Sequence, residues 1–198
     1  MPTGVHIRDA RRQLFVAAET VLLRDGPEAL TSRAVTDEAG CAKGVLHRHF
    51  SDFDAFLAEL VLDRAADLDT QGQALRESAG TNSVVDNLTH LLTGLFSSVA
   101  AALIPLITFR DGVRTQLRQA RPGGGVPILT DATTVIRAYL TEERALGRIA
   151  ADADVDSLAL SLVGGTHLLT AGHGNPGADA ISNLVTSTTA DVVQRRLP

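Results

Sequence analysis

From Asn87 to Phe109, and again from Ser157 to Ala178, the chain carries no charged side chain for more than twenty residues. A run of that length either crosses a membrane or lies as a helix inside protein. The residues within the runs separate the two cases. The first is interrupted by Asn87, His90, Thr93, Ser97, Ser98 and Pro105, and the second by Gly164-Gly165, His167, His173 and the turn sequence GHGNPG. In the first, Leu88, Leu91, Leu92, Leu95, Phe96, Val99 and Leu103 recur at helical spacing, opposite a face made of Asn87, His90, Gly94, Ser97 and Ala101. Lipid would meet that polar face unpaired, so the run reads as an amphipathic core helix and no membrane partner is expected.

Composition extends the helical reading to the whole chain. Ala (28) and Leu (27) make 55 of 198 residues, the aromatic fraction is 4% and Trp is absent, which favours an all-α fold over a sandwich or barrel. The single cysteine, Cys41, cannot close an internal disulfide and belongs to no zinc-type cluster, so it reads as a small core filler in a protein of a reducing compartment. The first residues, MPTGVHIRDARRQ, contain no apolar stretch. No signal peptide is therefore expected, and the expected location is cytoplasmic. His90, His167 and His173 lack the spacing of a helical metal pair, and His47 and His49 face different sides of a helix. Neither a metal nor a cofactor is expected, and the sequence contains no nucleophile, metalloprotease, phosphate-loop or dinucleotide motif that would mark an enzyme.

Net charge is −5, but it is unevenly spread. Residues 1 to 50 carry 7 Lys and Arg against 6 Asp and Glu, whereas residues 51 to 198 carry 11 against 17. Only the first segment can meet a polyanion. It also holds the chain's one lysine, Lys43. Periodicity there predicts a helix over 6 to 25 stopped by Gly26-Pro27, a two-turn helix capped by Thr31 or Ser32 and running to Ala39, and a third over Lys43 to Phe50. Two short helices joined by a Gly-containing turn form a helix-turn-helix pattern. Longer helices are expected over Asp54 to Glu77, Val84 to Ala102, 111 to 121, 127 to 146, 154 to 171 and 178 to 196, with a bend at Pro105 and a linker at RPGGGVP. That gives about nine helices, a three-helix head in residues 1 to 53 and a larger helical body in 54 to 198.

The block LTSRAVTDEAGCAKGVLHRHFSDFDAFLAEL, residues 30 to 60, resembles the DNA-binding domain of tetracycline-repressor-like (TetR-family) transcriptional regulators. Thr31, Arg33, Val35, Ala39, Gly40, Lys43, Gly44, Leu46, His49, Phe50 and Phe56 stand where that family's pattern has the same or a similar residue. The resemblance implies a regulator, most simply a repressor, that binds a palindromic double-stranded DNA operator as a homodimer and is released by a small-molecule effector. It implies phosphate contacts from Thr31, Arg33, Lys43, His47 and His49, with Ser32 beside them at the start of the second helix. Gly44, having no side chain, lets the third helix approach DNA closely, and Ala42, Val45 and Arg48 are placed to reach base edges. Several positions depart from the pattern: Ala42 stands in place of a capping Ser, Val45 of a Thr, His47 of a Tyr, and Phe53 of a Lys that reaches a phosphate. These changes remove polar contacts and lower the expected affinity for DNA.

In the family the last two helices form a dimer bundle. Here Leu158, Leu162, Gly165 and Leu169 line one stripe, and Ile181, Leu184, Val185, Thr188 and Val192 another. For the effector, Leu92, Phe96, Phe109 and Tyr139 offer apolar wall, and His90, Thr93, Thr108, His167 and Thr170 offer polar groups. Two other readings use the same residues. The chain could be a helical interaction protein with a degenerate DNA-binding head, or a small helical enzyme; neither would give specific, salt-sensitive DNA binding.

Overall fold

The computed structural model describes residues 10 to 96, 99 to 123, 125 to 173 and 177 to 193. Among these residues there are ten α-helices: α1 (Ala10–Asp25), α2 (Ser32–Glu38), α3 (Gly44–His49), α4 (Phe53–Glu77), α5 (Val84–Phe96), α6 (Val99–Phe109), α7 (Asp111–Ala120), α8 (Pro127–Ala145), α9 (Val155–His173) and α10 (Gly177–Thr189). A single 3-10 turn, Pro27–Ala29, comes after α1. The described residues contain no strand beyond one isolated bridge, in which Ile149 pairs with Val193 and the Ala150 N–H donates to the Val192 carbonyl at 2.7 Å. The all-α architecture is as the composition indicates.

The helix ends have identifiable causes. Asp154 caps α9 by accepting from the Ser157 N–H at 3.1 Å and the Ser157 hydroxyl at 2.7 Å. These bonds hold its carboxyl below the ordinary range. Ser83 caps α5 by accepting from the Asp86 N–H at 2.9 Å. The single helix expected over Val84 to Ala102 is two helices, with residues 97 and 98 between them outside the described set. Pro105 does not end α6, which runs through it, although proline has no N–H for the carbonyl four residues back. Arg114 closes that helix instead, donating to the carbonyls of Ile107 and Thr108. The expected start at residue 6 and the last part of the helix expected to 196 lie outside the described residues. Among the described residues no single helix is long and apolar enough to cross a membrane.

Packing divides the chain into two compact units. The first holds the described part of residues 1 to 62 together with 102 to 123, and the second holds the described parts of 63 to 101 and 125 to 193. α4 contributes its first ten residues to one and the rest to the other. In the first unit α1 packs on α2 and α3; in the second α8 packs on α9, and α10 on α5 and α9. The second core is closed by Leu88, Leu92, Ile136, Tyr139, Leu140, Leu162 and Val185, all fully buried.

Candidate nucleic-acid interface

The head is built around phenylalanine. Phe15 of α1 lies 5.9 Å from Phe50 and 5.6 Å from Phe56 between ring centroids, and Phe50 meets Phe56 edge-on at 5.0 Å. Phe53 stacks on Phe56 at 5.6 Å. Four of the chain's six phenylalanines thus hold α1, α3 and the start of α4 together, with Leu30, Val35 and Leu46 buried beside them. Phe53, where the family pattern has a phosphate-reaching Lys, belongs to this cluster. The Arg110 guanidinium sits 5.4 Å from its ring and 3.2 Å from the Asp54 carboxylate.

On this base the two short helices are fixed through their backbones. Thr31 caps α2, its hydroxyl oxygen accepting from the Ala34 N–H at 3.1 Å. The buried Thr36 hydroxyl reaches the carbonyls of Ser32 and Arg33, each at 3.1 Å. The chain then leaves α2 through Gly40, whose φ of +63° is a left-handed conformation costly for any residue with a Cβ. The Cys41 N–H closes the turn onto the Thr36 carbonyl at 3.0 Å. Two α1 side chains clamp the result: Gln13 donates to the Ala39 carbonyl at 2.8 Å and Arg11 to the His49 carbonyl at 3.3 Å. Arg11 also pairs with Glu59 and lies 4.5 Å from the Phe50 ring centre. Arg24 ties the ends of α1 and α2 through Glu38 at 2.8 Å. These clamping residues are absent from the sequence motif, because Arg and Gln on a helix face read there as solvated surface. Cys41 is half-buried, and burial pushes its thiol up, away from the reactive thiolate.

Thr31, Arg33, Ala42, Lys43, Gly44, His47, Arg48 and His49 are exposed, while Ser32 and Val45 are half-buried. α3 begins with no side-chain cap, Lys43 occupying the cap position and the Val45 N–H donating to the Ala42 carbonyl at 2.8 Å. A Cβ placed on Gly44 would meet nothing within 4 Å, so the protein's own packing does not require glycine there. Arg33 is drawn toward Asp37 at 3.4 Å, a wide and solvated pair. Lys43 and Arg48 form no ion pair among the described residues. The three basic or titratable side chains of the last turn of α3, His47, Arg48 and His49, stand in solvent beside Lys43, with no carboxylate within ion-pair distance among the described residues.

Residues 14–60 match the model of the bacterial regulatory proteins of the tetR family. The segment just described is thus a TetR-type DNA-binding head, and the chain that carries it is a DNA-binding regulator. No curated protein sequence matches it closely enough to count as a relative. Its fold is that of several solved TetR-family structures. A TetR-family transcriptional regulator from Agrobacterium tumefaciens superposes with a TM-score of 0.69 at 15% identity, over 94% of this chain and 99% of that one. Salmonella enterica GusR gives 0.68 at 16%, over 94% and 98%. Reduced Escherichia coli NemR gives 0.69 at 13%, over 96% and 100%.

The residues expected in an effector pocket and on a dimer face stand in several different environments. An open groove of about 730 Å³ lies between the later part of α4 and α5, and of the nine residues expected to form an effector pocket only His90 lines it. Leu92 and Tyr139 are core, and Phe96 packs its ring 6.2 Å from His167. Thr93 is half-buried, and Thr170 donates its hydroxyl to the His167 carbonyl at 2.8 Å. Thr108 and Phe109 belong to the first unit, and Phe109 is 84% exposed. Of the residues expected on a dimer face, Leu162, Ile181 and Val185 are buried within the chain. Gly165 admits Leu184, whose methyl groups would stand 3.0 and 3.1 Å from a Cβ there. Leu158, Leu169, Thr188 and Val192 are half-buried. The apolar side chains that α9 leaves in solvent are instead Leu160 and Leu168, at 65% and 73% exposure.

A buried polar network beside the groove has no counterpart in the sequence motifs. The Asn87 amide donates to the Tyr139 hydroxyl at 3.0 Å and to the carbonyls of Thr81 and Ser78 at 3.1 and 3.3 Å. Glu143, fully buried, accepts from the Gly80 N–H at 3.3 Å and pairs with Arg148 at 3.3 Å. Arg148 donates onward to the carbonyls of Thr81 and Asn82. Burial first, and the Glu143 hydrogen bond second, push the Tyr139 phenol above its ordinary range. Among the described residues no three His, Cys, Asp or Glu side chains converge on a metal-sized site.

Proposed function

We propose that this regulator is a repressor, acting in the cytoplasm, that binds a two-fold symmetric operator as a homodimer and is released by a small-molecule effector. Residues 1 to 53 supply the DNA-binding function, and 54 to 198 supply dimerisation and effector binding. The observation that carries the reading is the set of uncompensated cations along α3, Lys43 at its start and Arg48 in its last turn, both in solvent with His47 and His49, and with a Gly44 that leaves room for a groove wall. Phosphates are met by Lys43, Arg33, the histidines and Thr31, with Ser32 beside them, and bases by Arg48, Val45 and Ala42. The absent cap on α3 and the enclosure of Phe53 in the aromatic cluster remove contacts, so binding is weaker than the family pattern suggests and leans on the remaining cations. A head this small selects a site only in pairs, which requires a dimer. The pairing face is the outward side of α9, Leu160, Gly164 and Leu168, because the stripe through Leu162 is spent on the protein's own core. No catalytic role is assigned.

Fluorescence anisotropy with DNA from the region upstream of the protein's own gene tests this. Specific, salt-sensitive binding by the wild-type chain that is lost in a Lys43→Ala, Arg48→Ala variant is expected. Unchanged binding in that variant, or none in the wild type, refutes it.

A further inference from the structure

The groove between α4 and α5 has a definite polarity. Gln71, Ala74, Leu75 and Ser78 of α4 and the turn after it, and Asn87, His90, Leu91 and Gly94 of α5, line it. Each set is spaced i, i+3, i+4, i+7, so each is one face of one helix. The two helices do not pack closely on each other, which leaves the space between those faces open. Leu75 and Leu91 are buried and form the floor. Four polar lining residues, Ser78, Asn82, Asp86 and Asn87, stand where the helices are joined, with His90 one turn along α5 and Gln71 two turns back along α4.

Asn87 is the informative residue. It is only 8% exposed and lines the groove. The carbonyls of Ser78 and Thr81 can only accept, so the amide nitrogen must face them, and the Tyr139 hydroxyl takes up the same nitrogen. The Asn87 Oδ1 is left without a partner among the described residues, an acceptor at the groove wall that a ligand donor can satisfy. The only formal charge lining the groove is the Asp86 carboxylate, which has no ion-pair partner among the described residues. Arg148, which donates to the Thr81 and Asn82 carbonyls of the joining turn, is paired with Glu143 at 3.3 Å. An acceptor, a free carboxylate and a leucine floor call for a cation that carries N–H donors and an apolar body.

We infer that this groove binds an organic ammonium ion, its N–H donating to the Asn87 Oδ1 and its charge facing Asp86, with its apolar part lying over Leu75 and Leu91 toward Gly94. This deepens the effector reading above and rests on it for the consequence on DNA, although binding itself can be measured without DNA. The volume of about 730 Å³ suits a ring-containing amine rather than a bare ammonium.

The probes are 1-naphthylmethylamine, its uncharged counterpart 1-naphthylmethanol and 1-naphthoic acid, monitored by naphthalene fluorescence with the full chain, which has no tryptophan to interfere. The amine is expected to bind, the alcohol to bind more weakly and the acid not to compete. Asp86→Asn should weaken the amine about fivefold and leave the alcohol unchanged. Gly94→Leu should abolish binding of both; a Cβ at Gly94 meets nothing within 4 Å, so the fold tolerates the change, as a thermal melt will show. Equal affinity for amine, alcohol and acid overturns the proposal, as does amine binding that neither variant alters. Adding the amine to the wild-type protein on DNA then tests release separately. Amine binding that leaves DNA retention unaltered refutes the release reading and upholds the site, whereas release by some other molecule with no amine binding does the reverse.

Discussion

Leu160 and Leu168 of α9 are eight residues apart, little more than two turns, with Gly164 between them, and both stand largely in solvent. Fully burying a leucine is worth about 1.5 to 3 kcal/mol, so with roughly two-thirds of each side chain still to bury, each offers about 1 to 2 kcal/mol to a partner. A two-fold interface counts each residue twice, giving about 4 to 8 kcal/mol from four leucines. Replacing both by glutamate removes that gain and sets four carboxylates against one another. Even the lower figure is about a thousandfold in dissociation constant. Leu160→Glu, Leu168→Glu is thus expected to be a folded monomer at micromolar protein, where the wild type is expected to be a dimer, with mass read by light scattering and helicity by circular dichroism. Leu162→Ala makes the contrast. That side chain is buried in the chain's own core, so truncation should cost about 2 to 5 kcal/mol of folding stability and leave the dimer mass intact. A glutamate double variant that remains dimeric, or a Leu162→Ala protein that dissociates while still folded, refutes the assignment of faces.

Lys43→Ala alone should weaken DNA binding by a similar factor on every sequence and flatten its salt dependence by about one unit of slope, while Arg48→Ala should cost about 1 to 3 kcal/mol and relax preference at one base pair. Competition binding at several salt concentrations separates the two. Arg110→Ala removes both the half-exposed pair with Asp54 and the contact with Phe53, and should lower the stability of the first unit by about 1 kcal/mol in a denaturant melt. Tyr139 has its ionisation raised above the ordinary 10.0, so the folded protein keeps a proton that the unfolded chain releases. Its contribution is complete below pH 10 and is lost as pH rises further, and the urea midpoint of the wild type should fall over that range. In Tyr139→Phe that part of the slope should vanish, although the variant starts less stable because Asn87 and Glu143 lose a partner.

The head is legible in the sequence because its decisive features are local. Thr31 caps the helix directly after it, Gly40 takes the backbone angle a turn demands, and Leu46 and Phe50 lie one turn apart on a helix too short to have more than one inner face. The residues that periodicity does not single out, Arg11, Gln13 and Arg110, act across sequence separations of 26 to 56 residues. Their identities are ordinary for a surface.

The second unit is less legible for a physical reason that α9 makes plain. A helix with one apolar stripe declares which side is buried, but α9 is apolar on two, through Leu162 and through Leu160 and Leu168. Period alone cannot say which stripe meets the chain's own core and which meets another molecule; α5, α8 and α10 decide that, by occupying the first. The same holds for Asn87, Tyr139 and Glu143. Each is an unremarkable residue 4 to 56 positions from the others, and what joins them is the turn from Ser78 to Asn82, whose backbone groups need partners once α5 and α8 close over them. Asn87 stands where the polar face of α5 borders the leucine stripe, beside Leu91, and is buried. There it marks both the buried network and, through its remaining oxygen, the groove.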